Sequence, residues 1–286
     1  MEETALDQYA VMGNPIAHSK SPQIHAMFAE QTGQSLHYSA ILVAVGGFER
    51  ALRSFHSLGG RGLNVTVPFK REAWERADER SDRAELAGAV NTLSFREDGS
   101  LRGDNTDGVG LVRDLTVNLG LGLAGKELLL LGAGGAASGV LAPLLGQRPA
   151  RVVIANRTVA KAVALAGRFT DTGPVEGCGY EDLSGRRFDL VINATATSLL
   201  HKVPPLPRNL LRAGAWCYDM MYSARPTAFV QWGLEHGAEH SVDGLGMLVE
   251  QAAESFLIWR GVRPESGPVI RRLRDDLARA LATKSG

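Results

Sequence analysis

At 286 residues the chain is longer than one average domain, so two domains are the better expectation. Hydrophobic residues at 44% and charged residues at 22% exclude a mostly disordered chain. Thirty-one basic residues balance thirty-one acidic ones with no Lys/Arg block, which argues against nucleic acid or an anionic membrane as partner.

In the first third, short apolar runs at residues 9–13, 37–45 and 62–67 predict strands, with helices near 22–32 and 48–58 between them. A further helix begins after Pro68, a residue well placed in a first helical turn. Residues 89–95 and 100–103, separated by Glu97-Asp98-Gly99, predict a hairpin. A helix over 106–119 leads into the Gly-rich stretch 120–125, read as a hinge or boundary. From Lys126 the rhythm restarts: strand 128–131, helix 136–145, strand 152–155, helix 159–169, then strands at 190–193 and 216–219. Two amphipathic segments, 245–259 and 268–281, follow. Alternation of this kind predicts βαβ units on a mainly parallel sheet, and the second series has the order of a doubly wound dinucleotide-binding domain.

Cys178 and Cys217 are too few for a disulfide framework, and neither they nor the scattered histidines are spaced as metal ligands. The acidic start Met1-Glu2-Glu3-Thr4 has no apolar run behind it, and no stretch approaches ~18 consecutive apolar residues. The expectation is a cytoplasmic protein with no metal, no membrane span and no signal peptide.

The sharpest motif is Gly132-Ala133-Gly134-Gly135-Ala136-Ala137, which follows the apolar strand Leu128-Leu129-Leu130-Leu131 and opens a helix. In G-x-G-x-x-A the first glycine permits a tight turn and the second lets backbone N–H groups approach a pyrophosphate, whose charge the helix N-terminus favours. An NAD site places Asp or Glu at the end of the second strand, to bind the ribose hydroxyls. Here that position reads Asn156-Arg157-Thr158, with Lys161 one turn further on. A guanidinium and an ammonium suit a 2′-phosphate, so NADP is the expected cofactor.

Three polar clusters stand out in the first third. Along Leu63-Asn64-Val65-Thr66-Val67-Pro68-Phe69-Lys70, Asn64 and Thr66 share one strand face, and Lys70 lies past the strand's C-terminal end, where open α/β sheets build their clefts. Asn91-Thr92 is followed by Gly103-Asp104-Asn105-Thr106-Asp107-Gly108, in which Asp107 also reads as an N-terminal helix residue. His18-Ser19-Lys20-Ser21-Pro22 opens a helix with two hydroxyls suited to a carboxylate, or with Ser21 as a plain cap.

Taken in order, residues 13–22, 64–70, 88–92, 103–108, 132–136, 156–158 and the run Asp243-Gly244-Leu245-Gly246-Met247-Leu248 resemble shikimate dehydrogenase, from about Tyr9 to the last helix. The resemblance implies reversible NADPH-dependent reduction of 3-dehydroshikimate to shikimate, on the route to aromatic amino acids. It implies that Lys70 and Asp107 form the catalytic pair, Ser19, Ser21 and Tyr222 hold the substrate carboxylate, and Asn64, Thr66, Asn91 and Gln251 bind its hydroxyls, Asp107 contacting substrate as well. It further implies that Met220 and Gly244 line the nicotinamide region, with Asp82 standing where relatives often have Glu near the cofactor. The expected fold is α/β: a substrate unit over 1–107 on a mainly parallel sheet, a Rossmann-like NADP unit over 108–242, and C-terminal helices over 243–286 returning to the first unit. The partner is a small molecule, and a homodimer is compatible with the sequence. One departure stands out, because relatives continue Asn-Ala-Thr-Ser-x-Gly where this chain has Asn193-Ala194-Thr195-Ala196-Thr197-Ser198-Leu199. Ser198 there cannot take positive φ as cheaply as glycine. The competing expectations are an enzyme acting on quinate, or on both acids, and a non-catalytic NADP sensor on the same fold.

Overall fold

The computed structural model describes residues 6–195, 197 and 202–283. Most of the altered stretch at 196–199 lies outside the described residues. The first unit runs β1 (Asp7–Gly13), α1 (Ser21–Thr32), β2 (Leu36–Leu42), α2 (Phe48–Ser57), β3 (Gly60–Val65), α3 (Lys70–Arg76), β4 (Glu79–Arg80), α4 (Asp82–Ala87), β5 (Thr92–Phe95) and β6 (Leu101–Asp104). Among the described residues these strands form a six-stranded sheet in the order β2-β1-β3-β5-β6-β4. The pairs β1–β2, β1–β3 and β4–β6 are parallel, whereas β3–β5 and the hairpin β5–β6 are antiparallel.

Helix α5 (Asp107–Arg113) and a π-helical turn (Asp114–Asn118) lead to the second unit. It comprises β7 (Glu127–Leu131), α6 (Gly135–Leu145), β8 (Arg151–Ala155), α7 (Val159–Gly167), β9 (Val175–Cys178), β10 (Phe188–Asn193), β11 (Leu211–Asp219), α8 (Ala228–Glu235) and β12 (His240–Asp243). The order β12-β11-β10-β7-β8-β9 is parallel throughout. Counted from β7 it is the doubly wound arrangement 3-2-1-4-5-6, with the crevice for a ligand where the winding reverses, between β7 and β10. Leu128 to Leu131 are wholly buried because both faces of this sheet carry helices.

Two last helices, α9 (Leu245–Arg260) and α10 (Ser266–Ala282), return to the first unit. Val249, Ala253, Phe256, Val269 and Leu273 form one core with Ile24 and Phe28 of α1. Helix α5 lies between α6 and α9 at distances only glycine allows. A Cβ on Gly108 would come within 2.6 Å of Gly139 O, and one on Gly110 within 2.7 Å of Gln251.

The structure shortens several expected elements. Strand β2 stops at Leu42 rather than at 45 because its partner β1 ends opposite it, at Gly13. Strand β3 stops at Val65, leaving Val67 exposed, and β5 starts at Thr92, the last residue paired with Asn64. The helix expected over 106–119 changes pitch at Asp114, where Leu119 N–H bonds to Asp114 O five residues back. The stretch 120–125 is not slack, since Leu121 and Leu123 are anchored in the second unit's core. Strands β4, β9 and β12 and helices α4 and α8 were not anticipated. The strands are sheet edges of two to four residues, too short to show a period.

Candidate active site

Lys70 opens α3 after β3, and Asp107 opens α5 after β6. Both strands run the same way, so both side chains rise at one end of the sheet, and Lys70 Nζ donates to Asp107 Oδ2 at 2.5 Å. Asp107 is only 7% exposed. Asn91 Nδ2 donates to its other oxygen at 2.8 Å, while Asn105 Oδ1 accepts its backbone N–H at 3.1 Å. The orientation of the Asn91 amide is fixed in turn, because its Oδ1 accepts from Thr106 N–H and Thr92 Oγ1, each at 2.9 Å. Gln251 approaches from α9, with Oε1 3.3 Å from Asn91 Nδ2.

Asn64 is buried in the same wall. Its Oδ1 accepts from Tyr38 OH at 2.7 Å, and its Nδ2 reaches Ser255 Oγ at 2.9 Å and Thr92 Oγ1 at 3.2 Å. Thr66 lies two residues on, half-buried against Gly13, where a Cβ would meet the Thr66 methyl at 2.4 Å. Ser19 and Ser21 flank the start of α1, Ser21 N–H donating to Ser19 Oγ at 3.3 Å. The first turn of α1 holds no acidic residue, so the positive end of its dipole has no anion of its own. Tyr222, beyond β11, packs against the α1–α9 core, and burial together with the Asp243 charge pushes its phenol up.

On the second unit, Gly132 turns with φ +104°, and Gly134 and Gly135 lead into α6. A Cβ on Gly134 or Gly135 would meet nothing within 4 Å, so a lane of open space runs along the backbone at the helix start. Ala133 and Ala136 complete the turn, Ala136 exposed. The first turn of α6 has no acid and no side-chain cap. At the end of β8, Asn156 Nδ2 donates to Thr158 O at 2.9 Å, shaping a loop on which Arg157 and Thr158 are exposed, as is Lys161 in the first turn of α7. Among the described residues, neither Arg157 nor Lys161 makes an ion pair. This donor set fits a dinucleotide with an extra phosphate. Met220 follows β11, and Gly244 touches it, since a Cβ there would lie 2.5 Å from Met220 O.

The structure therefore gathers Ser19, Ser21, Asn64, Thr66, Lys70, Asn91, Asp107 and Gln251 around one wall. Asp82 is not gathered with them. It is the exposed first residue of α4 and makes no bond to the glycine turn, although α4 is fastened to the second unit at its far end, where Ser138 Oγ donates to Ala87 O at 2.7 Å. Sequence reasoning passed over Tyr38, His25 and Ser255. His25 is 1% exposed and stacks on Tyr38 with ring centroids 4.1 Å apart. A weak signal existed for two of them. Ser255 is one helical turn from Gln251, and His25 interrupts the apolar face Ile24–Phe28.

A parallel doubly wound sheet with a bare glycine turn, set against a second sheet bearing a part-buried lysine–carboxylate pair, defines a dinucleotide-dependent oxidoreductase. Family models described as shikimate dehydrogenase substrate binding domain, shikimate / quinate 5-dehydrogenase and shikimate 5'-dehydrogenase C-terminal domain match residues 11–93, 116–202 and 244–274. The shikimate dehydrogenase (NADP(+)) of Methylococcus capsulatus is 62% identical over 94% of this chain and 97% of its own length. That of Alkalilimnicola ehrlichii is 61% identical over 94% and 99%. The crystal structure of the Thermus thermophilus enzyme in complex with NADP(H) and shikimate superposes with a TM-score of 0.82, at 31% identity over 93% of this chain and 99% of that one. This chain belongs to the shikimate dehydrogenase family.

Proposed function

We propose that the protein catalyses reversible NADPH-dependent reduction of 3-dehydroshikimate to shikimate, with Lys70 and Asp107 handling the proton. The single observation that carries this reading is the 2.5 Å Lys70–Asp107 contact at the end of the first sheet, enclosed by Asn91 and Gln251. NADPH, when bound, supplies the hydride. As the ketone becomes an alkoxide, the Lys70 ammonium stabilises the developing charge and delivers a proton from Nζ. Asp107 holds that ammonium in place, and Asn91 keeps Asp107 from turning away. Ser19, Ser21 and Tyr222 take the carboxylate, while Asn64, Thr66, Asn91 and Gln251 address the hydroxyls. Gly132 to Ala136 accept the pyrophosphate, and Asn156, Arg157, Thr158 and Lys161 read the 2′-phosphate. Met220 and Gly244 flank the nicotinamide, and Asp82 is the outermost member of the cofactor side. We divide the chain at 1–107, 108–242 and 243–286, a division supported by the two sheets and by the return of α9 and α10. We assign it to the cytoplasm, where such a biosynthetic step takes place. No helix of the described residues is long and apolar enough to cross a membrane.

Steady-state rates with shikimate and with quinate, each with NADP and with NAD, test this reading. It requires kcat/KM to be highest for the shikimate–NADP pair. A higher value with quinate would reassign the substrate, and no turnover with either acid would favour a sensor.

A further inference from the structure

We infer that Tyr218 and Asp114 form a strut that positions the Gly244–Met247 turn, and with it the nicotinamide side of the cleft. The inference rests on the reading above that Met220 and Gly244 flank the nicotinamide.

Tyr218 lies two residues before Met220 on β11 and is fully buried. Its one polar atom has two partners, donating to Asp114 Oδ2 at 2.7 Å and accepting Met247 N–H at 3.3 Å. Asp114 opens the π turn that continues α5, the helix begun by Asp107. Its second oxygen accepts from Asn118 Nδ2 at 2.9 Å. A Cβ on Gly246 would lie 1.9 Å from that oxygen, so the carboxylate is seated against the backbone of the first turn of α9. From the other side, Asp243 Oδ1 accepts Leu245 N–H at 3.3 Å, and Arg274 grips the same carboxylate at 2.6 and 2.9 Å. The free donors at the start of a helix favour oxygen and negative charge, and here they receive both.

The strut thus joins the elements that carry Asp107, Met220, Gly244 and Gln251. It touches none of those carrying Ser19, Ser21, Asn64 or Thr66. Removing the hydroxyl leaves Met247 N–H without its acceptor and Asp114 Oδ2 without its donor. The α9 turn is then free to shift against the end of β11, and the contact between Gly244 and Met220 changes with it. Substrate grip on the first sheet should survive.

The test is steady-state kinetics of the full-length enzyme carrying Tyr218→Phe, Asp114→Asn or Met220→Ala. Tyr218→Phe should raise KM for NADP about fivefold or more, the effect of a buried hydrogen bond, and leave KM for shikimate within about twofold. Asp114→Asn keeps an oxygen for the Tyr218 hydroxyl but loses the charge and the second acceptor, so it should raise KM for NADP less than Tyr218→Phe and leave KM for shikimate within about twofold. Should Tyr218→Phe fail to fold, the double variant Tyr218→Phe, Asp114→Val removes both polar partners together and should show the same split. A purely structural contact would lower thermal stability and leave both KM values in place, which overturns the strut, as does an equal rise in both. Met220→Ala separates the two claims. If it raises KM for NADP while Tyr218→Phe does not, the strut alone is wrong. If it leaves that value unchanged, the nicotinamide reading fails and takes the strut with it.

Discussion

On the proposed substrate side of the cleft, Asn64, Asn91, Thr92, Thr106 and Ser255 bond to one another across β3, β5, the start of α5 and α9, and Lys70 already holds its carboxylate. On the cofactor side, Gly134 and Gly135 border open space, and Arg157 and Lys161 stand exposed without an ion pair among the described residues. One wall is preorganised around its own dipoles; the other presents unmet donors and positive charge. The difference matches the ligand proposed for each. A small polyol is recognised by fixed, neutral hydrogen-bonding groups, whose cost of ordering was met on folding. A phosphate-rich ligand brings the countercharge itself, so backbone N–H groups and cations can wait for it.

Breaking the preorganised wall at its centre should have the largest effect. Lys70→Ala should lower kcat about 100-fold or more, the scale of a lost general acid–base, with shikimate binding changed much less. A kcat within threefold of the parent would make Lys70 structural. Next is the charge on the open wall. Arg157→Ala should weaken NADP by roughly 10- to 150-fold, the equivalent of about 1.5–3 kcal/mol for a charge-assisted contact, and NAD little. Lys161 cushions that loss, so the double change Arg157→Ala, Lys161→Ala should exceed either single one. Equal losses for both cofactors would show that Arg157 supports the loop rather than the phosphate.

A smaller change is expected from Ser19→Ala, Ser21→Ala, which should raise KM for shikimate about tenfold and leave that for NADP nearly unchanged. A rise for NADP alone would put both serines on the wrong wall. The smallest effect is one on stability, and it sharpens the comparison by showing the cost of a closed polar wall. Burial pushes the His25 imidazole down to about 3, against 6.5 for an exposed one. The unfolded chain therefore binds an extra proton between those values. Stability from neutral His25 is complete above 6.5 and falls with pH through that window, by up to about 1.4 kcal/mol per unit. Melting temperatures from pH 7.5 to 5 should drop less steeply in His25→Phe than in the parent, and parallel slopes would exclude His25 as the acid-sensitive group.

The chemistry of both walls was legible where it sits at strand ends. Gly132–Ala136 and Lys70 follow strands readable from their apolar residues, Asp107 follows the second strand of a hairpin marked by its turn, and the crevice rule gives their place. What the sequence hid is held by distance along the chain. Asn64 and Ser255 are 191 positions apart, and only the return of α9 brings them to 2.9 Å. Tyr38 and His25 read as ordinary members of a strand and a helix until stacking shows them behind Asn64. The short edge strands were hidden for a different reason, since they borrow their conformation from a neighbour.

The return of α9 and α10 has a consequence for how the protein is made. Ile24 and Phe28 leave the ribosome well before residues 245–273, which supply the surface that covers them. The first sheet is thus translated first and can pack one face against α2, α3 and α4 early, but its α1 face stays uncovered until α9 and α10 are made. The second sheet is contiguous in sequence and can close on its own while synthesis continues. The half synthesised later can thus complete most of its core before the α1 face is covered, and for that interval this apolar face is the part of the nascent chain that a chaperone would have to shield.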